Sequence, residues 1–234
     1  MNQINHLNRK YRIKRLDTDL IASIIHSSNL EYLVTEADQA EMAIPSYLNK
    51  NPFIRAIFWR RYDVAYRLSN LQPDMTVCEF GCGIGAFLPT LAAETKKVYA
   101  VDLFPQYAQE LARRLNLDIS FAKDLSGIPD HSLDLLIAVE VMEHLDDPAA
   151  YAQLFAQKLK PNGRLIMAGP TESNLYKIGR FLVGYGKYHH YHKNNVYHLQ
   201  EIIDSNNFSL EKTVRFPSPL LPLFLICRYH VKHS

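Results

Sequence analysis

Cysteine is scarce in this sequence, and so is charge of either sign in excess. Three cysteines stand in 234 residues, Cys78, Cys82 and Cys227, an odd and sparse set that builds no disulfide framework. Cys78 and Cys82 make a C-x3-C pair without nearby partners, a poor zinc site. No metal is expected, and the thiols read as small packing residues in a reducing cytoplasm. The 26 Lys and Arg nearly balance the 24 Asp and Glu, for a net charge of +2. The chain as a whole therefore has no strong built-in pull toward nucleic acid or anionic lipid. Long hydrophobic runs are also missing. Residues 1–15 are polar and basic without an apolar core, so no signal peptide is expected. The most apolar C-terminal stretch, 220–227, contains Pro222 and is too short to cross a bilayer. What remains is a chain that is 47% hydrophobic, enough for one full-sized core.

The most informative stretch is Met75-Thr-Val-Cys-Glu-Phe-Gly-Cys-Gly-Ile-Gly-Ala86. An apolar, β-branched run predicts a buried strand, and glycines at 81, 83 and 85 predict a tight turn where a ligand touches backbone. Helical spacing over 86–94 puts that turn at a helix N-terminus, the geometry of a nucleotide cradle. Regular alternation follows. Strands are predicted at 97–102, 117–122, 133–139 and 164–168, with helices at 105–115 and from Asp147-Pro148 through Leu159, and a turn at Pro161-Asn-Gly163. The pattern is α/β, a doubly wound and mostly parallel sheet. A helix over 196–206 and strands at 208–216 and 223–229, joined through Pro217-Ser-Pro219, predict a closing antiparallel hairpin.

Ahead of the cradle, Asn51-Pro52 predicts a capped helix that ends before Pro73. Residues 1–50 are expected to form a helical extension, packed through Leu16, Leu20, Ile21, Ile24 and Ile25 with a solvated basic tip. A membrane or nucleic-acid anchor is the competing reading, and the acids that follow at once argue against it. Residues 51–234 form the main domain.

Glycine spacing alone leaves the cofactor open. Gly81, Gly83 and Ala86 fit the dinucleotide fingerprint, and Asp102 lies near the distance of a ribose-binding acid. Three features point elsewhere. Glu79 would be a poor neighbour for a pyrophosphate and a good one for an amino group; Gly85 completes a G-x-G-x-G array; and Asp124 ends the next strand. Together, Glu79-Phe-Gly-Cys-Gly-Ile-Gly85, Asp102, Asp124-Leu125, the run Ser132 to Leu145 with its Glu143-His144 pair, and Pro161 to Met167 resemble the ordered motifs of class I S-adenosylmethionine-dependent methyltransferases, in the small-molecule branch. The likeness covers roughly residues 52–230.

The resemblance implies a Rossmann-like fold, S-adenosylmethionine as donor and S-adenosylhomocysteine as product. It implies cofactor contacts from Glu79, Gly81, Gly83, Gly85, Asp102, Leu103, Asp124, Leu125, Val139 and Glu140. An NAD(P)-dependent oxidoreductase and a non-catalytic S-adenosylmethionine-binding protein stand as alternatives. Catalytic base candidates are His144 beside the sheet and His189, His190 and His192 in a long segment, 169–192, expected to act as an acceptor lid. Val139-Glu-Val-Met142 is not the Asn/Asp-Pro-Pro-aromatic motif of adenine or glutamine methyltransferases, and no Pro-Cys pair suits cytosine C5 chemistry. A small molecule methylated on oxygen or nitrogen is therefore expected as acceptor, aromatic, lipid-like or sugar-bearing.

Overall fold

Asn51 caps the helix its sequence announces. Its side chain accepts from the Phe53 amide at 2.9 Å, Pro52 occupies the first turn, and the helix runs Pro52–Ser69. The computed structural model describes residues 12–27, 39, 42–173, 176 and 193–232. In chain order these contain α1 (Thr18–Ile25), α2 (Ile44–Tyr47), α3 (Pro52–Ser69), β1 (Thr76–Phe80), α4 (Leu88–Glu94), β2 (Lys97–Val101), α5 (Gln106–Leu115), β3 (Ser120–Ala122), β4 (Leu133–Val139), a 3-10 turn (Met142–His144), α6 (Pro148–Lys158), β5 (Leu159–Pro170), α7 (Val196–Ser205), β6 (Phe208–Phe216) and β7 (Phe224–Val231).

One seven-stranded sheet holds the order β3-β2-β1-β4-β5-β7-β6. The pairings through β5 are parallel, and β7 runs antiparallel to both β5 and β6. This is the expected Rossmann-like sheet with its C-terminal hairpin. Alternate side chains of β4 enter two cores, Leu135, Ile137 and Val139 on one face and Leu136 and Ala138 on the other. Helices on both faces explain why the strand is apolar at nearly every position. Each of the leucine, isoleucine and valine side chains contributes about 1.5–3 kcal/mol of burial.

Two strands start three or more residues away from the sequence reading. β3 holds three residues, because Leu117 and Ile119 pack on the first core from coil and leave only 120–122 to pair at the sheet edge. β5 begins five residues early, at Leu159. Its register slips so that Leu133 faces Leu159 while Leu135 faces Arg164, and Pro161-Asn-Gly163 becomes a bulge within the strand. A Cβ on Gly163 would stand 2.9 Å from the Lys160 carbonyl, so the close turn requires glycine.

The described part of the N-terminal extension is fastened to the main body. The Ile13 amide donates to Asp63 Oδ1 (3.1 Å), the Lys14 amide donates to Thr90 Oγ1 (2.8 Å), and Arg15 pairs with Asp63 at 3.0 Å. Ile13, Ile21, Ile24, Ile25, Ile44 and Tyr47 belong to the same apolar cluster as Leu88 and Ile137. All three cysteines are buried and unbonded to one another. Among the described residues no helix is long and apolar enough to cross a membrane.

Candidate active site

The glycine loop is bent by backbone geometry that other residues resist. Gly81, Gly83 and Gly85 have φ of +76°, +53° and +81°, the left-handed region glycine enters freely. Gly81 and Gly85 also meet protein. A Cβ on Gly81 would lie 2.5 Å from Val141 Cγ2, and one on Gly85 would lie 2.9 Å from Leu88 Cδ1. The close approach read from the sequence is thus, at these two positions, first an approach of the chain to itself. Gly83 faces only Met42, at an ordinary 3.6 Å.

Four amides of this loop are already used. Gly81 and Cys82 donate to the Val101 carbonyl at 2.7 and 3.3 Å, and Gly85 donates to the Cys82 carbonyl at 2.8 Å. Gly83 donates to Asp102 Oδ2 at 2.7 Å. A pyrophosphate cradle works by presenting free N–H groups, and these four have internal acceptors. Asp102 is held from its other side as well, where Oδ1 accepts from the Phe104 amide at 2.9 Å. Each of its oxygens keeps a second lone pair, and the residue lines a cleft of about 390 Å³ at the carboxyl ends of β1, β2 and β4.

Two parallel strands splay apart at such a point, and cofactor clefts in doubly wound sheets form there. Phe80, Gly81, Asp102, Leu103 and Phe104 line one part of the wall, and Glu140, Val141, His144, Leu145, Tyr151 and Lys193 line another. The sequence profile of the family described as "Methyltransferase domain" matches residues 58–212, about two thirds of the chain. The chain belongs to the class I S-adenosylmethionine-dependent methyltransferases.

Relatives of the chain point the same way. It is 27% identical over 143 residues to nodulation protein S of Rhizobium tropici, covering 58% of each chain. It is 31% identical over 99 residues to the ubiquinone biosynthesis O-methyltransferase of Xylella fastidiosa strain M23, covering 39% of this chain and 40% of the relative. The matched parts thus span 58% and 40% of these relatives' own lengths. In fold it resembles the N-methyltransferase NodS from Bradyrhizobium japonicum WM9, solved with S-adenosyl-L-homocysteine. The TM-score is 0.64 at 20% identity, covering 85% of this chain and 100% of that one.

Of the residues that the methyltransferase motifs single out, Gly81, Asp102, Leu103, Glu140 and His144 meet in the cleft wall. Gly83 and Gly85 shape the loop, and Val139 ends β4 within the first core. Asp124 does not reach the cleft wall. It is exposed, its Oδ1 accepts from the Ser126 amide at 2.8 Å in a local Asx turn, and the Ser126 hydroxyl, with that amide, holds its carboxyl below the ordinary range. Leu125 is buried in the second core, and Lys123 lines the cleft near them. His189, His190 and His192, with most of the 169–192 segment, lie outside the described residues.

Arg61 escaped the sequence reading. Its guanidinium, 3% exposed, pairs with Glu140 Oε2 at 3.0 Å and lies over the ring of Phe58 at 4.5 Å. Glu140 itself sits at φ +56°, its amide bonded to the Ala168 carbonyl. One signal was available. Arg61 follows Ile57 by one helical turn and precedes Ala65 by another, which places it on the buried face. Met42, Tyr151 and Lys193 carried no such signal, because each arrives from a distant segment.

Glu79 and Glu143 are buried, with Glu79 Oε2 and both Glu143 oxygens lacking a hydrogen-bond partner. Burial pushes both carboxyls well above the usual range, helped by the charge of Asp102 at Glu79 and of Glu140 at Glu143. A folded-state pKa raised in this way keeps a proton that the unfolded chain has released. Its stabilising effect is present below the ordinary pKa of 4.5 and is lost as pH rises from there toward the raised value. Within that window stability should fall by about 1.4 kcal/mol per pH unit for each group. Urea midpoints of the ligand-free protein between about pH 5 and pH 8 should show the decline, and Glu79→Gln or Glu143→Gln should flatten it. An identical slope in wild type and both variants would contradict the assignment.

Proposed function

We propose that the protein moves the methyl group of S-adenosylmethionine to an oxygen or nitrogen of a small-molecule acceptor. The observation that carries this reading is the doubly anchored Asp102 carboxylate in the cleft, beside a glycine loop with four amides satisfied internally. The residues suit the cofactor. Asp102 keeps one lone pair per oxygen for the two ribose hydroxyls, and the unpartnered buried oxygen of Glu79 suits an amino group. A dinucleotide is disfavoured, since its pyrophosphate would meet the Asp102 carboxylate and loop amides that already have acceptors.

When bound, the sulfonium supplies an electrophilic methyl group for in-line displacement. The chain contributes position and proton handling. Asp102 and Leu103 orient the nucleoside end from the β2 side. Arg61 holds Glu140 in the opposite wall. His144 lines that wall at the 3-10 turn and is the described base candidate, beside His189, His190 and His192. The nitrogen chemistry printed for NodS and the oxygen chemistry printed for the ubiquinone enzyme support an acceptor of either kind.

S-adenosylhomocysteine should raise the melting temperature and NAD should leave it unchanged. Asp102→Ala should weaken S-adenosylhomocysteine binding about ten- to a hundredfold by calorimetry, the worth of one or two hydrogen bonds to a charged group. Stabilisation by NAD in place of S-adenosylhomocysteine would overturn the reading.

A further inference from the structure

Of the seven large apolar side chains exposed among the described residues, Leu103 lines the cleft and three others share one end of the fold. Phe53, Leu220 and Leu221 are 75%, 89% and 64% exposed. The stretch 220–227 therefore divides, with Phe224 onward buried as β7 and the two leucines before it left in solvent.

The fold carries all three to one end of the sheet. Phe58 of α3 meets Phe224, ring centres 6.2 Å apart, and Phe224 pairs with Pro170, the last residue of β5. Further along α3, the Leu68 carbonyl accepts from Arg228, which faces Ile166 in the middle of β5. The helix thus runs back along the sheet, and its N-terminus lies past the carboxyl ends of the parallel strands. Phe53, five residues before Phe58, stands about 7.5 Å further along the axis. The loop carrying Leu220 and Leu221 is tied to the same end. Thr171, next after β5, donates its amide to the Leu223 carbonyl and its hydroxyl to the Pro222 carbonyl, each at 2.9 Å. The cleft opens at this end too.

Along the two stretches that carry these residues the charge has one sign, and Glu172, next after Thr171, is a described acid at the same end. No acid stands between Lys50 and Arg61, or between Lys212 and Arg228, and Lys50 and Arg215 are exposed. An isologous contact between two copies would set these cations against each other, which disfavours self-association. An aromatic residue and leucines bordered by Lys and Arg match an interfacial lipid anchor. These two stretches are cationic although the net charge is only +2.

We propose that this rim docks the protein on an anionic lipid surface, Phe53, Leu220 and Leu221 entering the interface and Lys50 and Arg215 lying over the headgroups. Docked in this way, the catalytic end of the sheet faces the bilayer, so the acceptor is membrane-borne. That last clause rests on the methyl-transfer reading, and the docking does not.

Sedimentation of the full chain with vesicles of phosphatidylcholine alone, and of phosphatidylcholine with phosphatidylglycerol, tests it. The wild type should pellet with the anionic vesicles and be released as salt rises. The triple variant F53S/L220S/L221S should partition at least about tenfold less. K50E/R215E should lose about as much, since each cation over an anionic surface multiplies partitioning about fivefold. S-adenosylhomocysteine should raise the melting temperature of all three proteins alike, because none of the five positions lines the cleft. Wild type that stays in the supernatant, or variants that pellet as well as wild type, would overturn the docking. So would a wild-type dimer in light scattering that the triple variant dissolves, since copies would then cover the rim. Vesicle binding without any response to S-adenosylhomocysteine would overturn the membrane-borne acceptor and the methyl-transfer reading, leaving the docking.

Discussion

Replacing Arg61 by leucine should destabilise the protein by about 2–4 kcal/mol at neutral pH, out of a total of about 5–15 kcal/mol for a domain. The guanidinium is 3% exposed and the Glu140 side chain 14%. Leucine fills much of the volume but leaves the Glu140 charge in a poorly hydrated place without its cation. The stacking of Arg61 over Phe58, Tyr62 and Phe224 is lost as well, a term of about 0.5–2 kcal/mol. A second substitution separates the two effects. Arg61→Leu/Glu140→Leu should recover most of the loss, because an apolar pair has no charge to desolvate. Urea unfolding of the two singles and the double measures the coupling. Additive losses would show that the pair contributes nothing as a pair. Since Glu140 lines the cleft, Arg61→Lys should retain more cofactor affinity than Arg61→Leu, as it keeps the charge while losing the planar fork.

Gly81→Ala should cost a similar amount, about 2–4 kcal/mol, from two separate sources. The left-handed backbone adds about 1–2 kcal/mol for any residue with a Cβ. The new methyl would also collide with Val141, 2.5 Å from Cγ2 and 2.6 Å from Cβ, and such overpacking costs about 1–3 kcal/mol. Gly83→Ala provides the control. Its backbone is equally left-handed, but its Cβ would meet Met42 at an ordinary 3.6 Å, so only the first cost applies. Gly81→Ala should therefore lower the urea midpoint about twice as far as Gly83→Ala. Equal losses would mean that Val141 yields freely and that backbone strain alone matters. Because Val141 also lines the cleft, the same substitution should weaken S-adenosylhomocysteine binding.

Much of the fold could be read along the chain because its causes are local. The Asn51-Pro52 cap, the apolar run of β4 and the bounds of β6 each depend on residues within a few positions of one another. The errors arose where a distant partner decided the outcome. β5 starts at Leu159 because Leu133 pairs with it across the bulge. β3 is short because Leu117 and Ile119 are drawn to the core before they can join the sheet.

The site divides along the same line. Strand-end acids and alternating glycines announced Asp102 and the loop, since both follow from a strand ending in a tight turn. Asp124 carried the same kind of signal, yet its carboxylate closes on Ser126 two residues away. A short side chain beside a free amide often takes that local bond. The Arg61–Glu140 pair joins α3 to the end of β4, and no periodicity connects positions that far apart.

By itself, then, the sequence determined the order of strands and helices, the cradle and the family of the enzyme. Those properties are written in hydrophobic period, turn residues and motif order, each a matter of near neighbours. Tertiary structure decided that four loop amides turn inward, that Arg61 stands behind Glu140, and that burial pushes the Glu79 and Glu143 carboxyls well above their usual range. Burial and pairing set a carboxyl's charge, and both depend on which distant segments the fold brings alongside it.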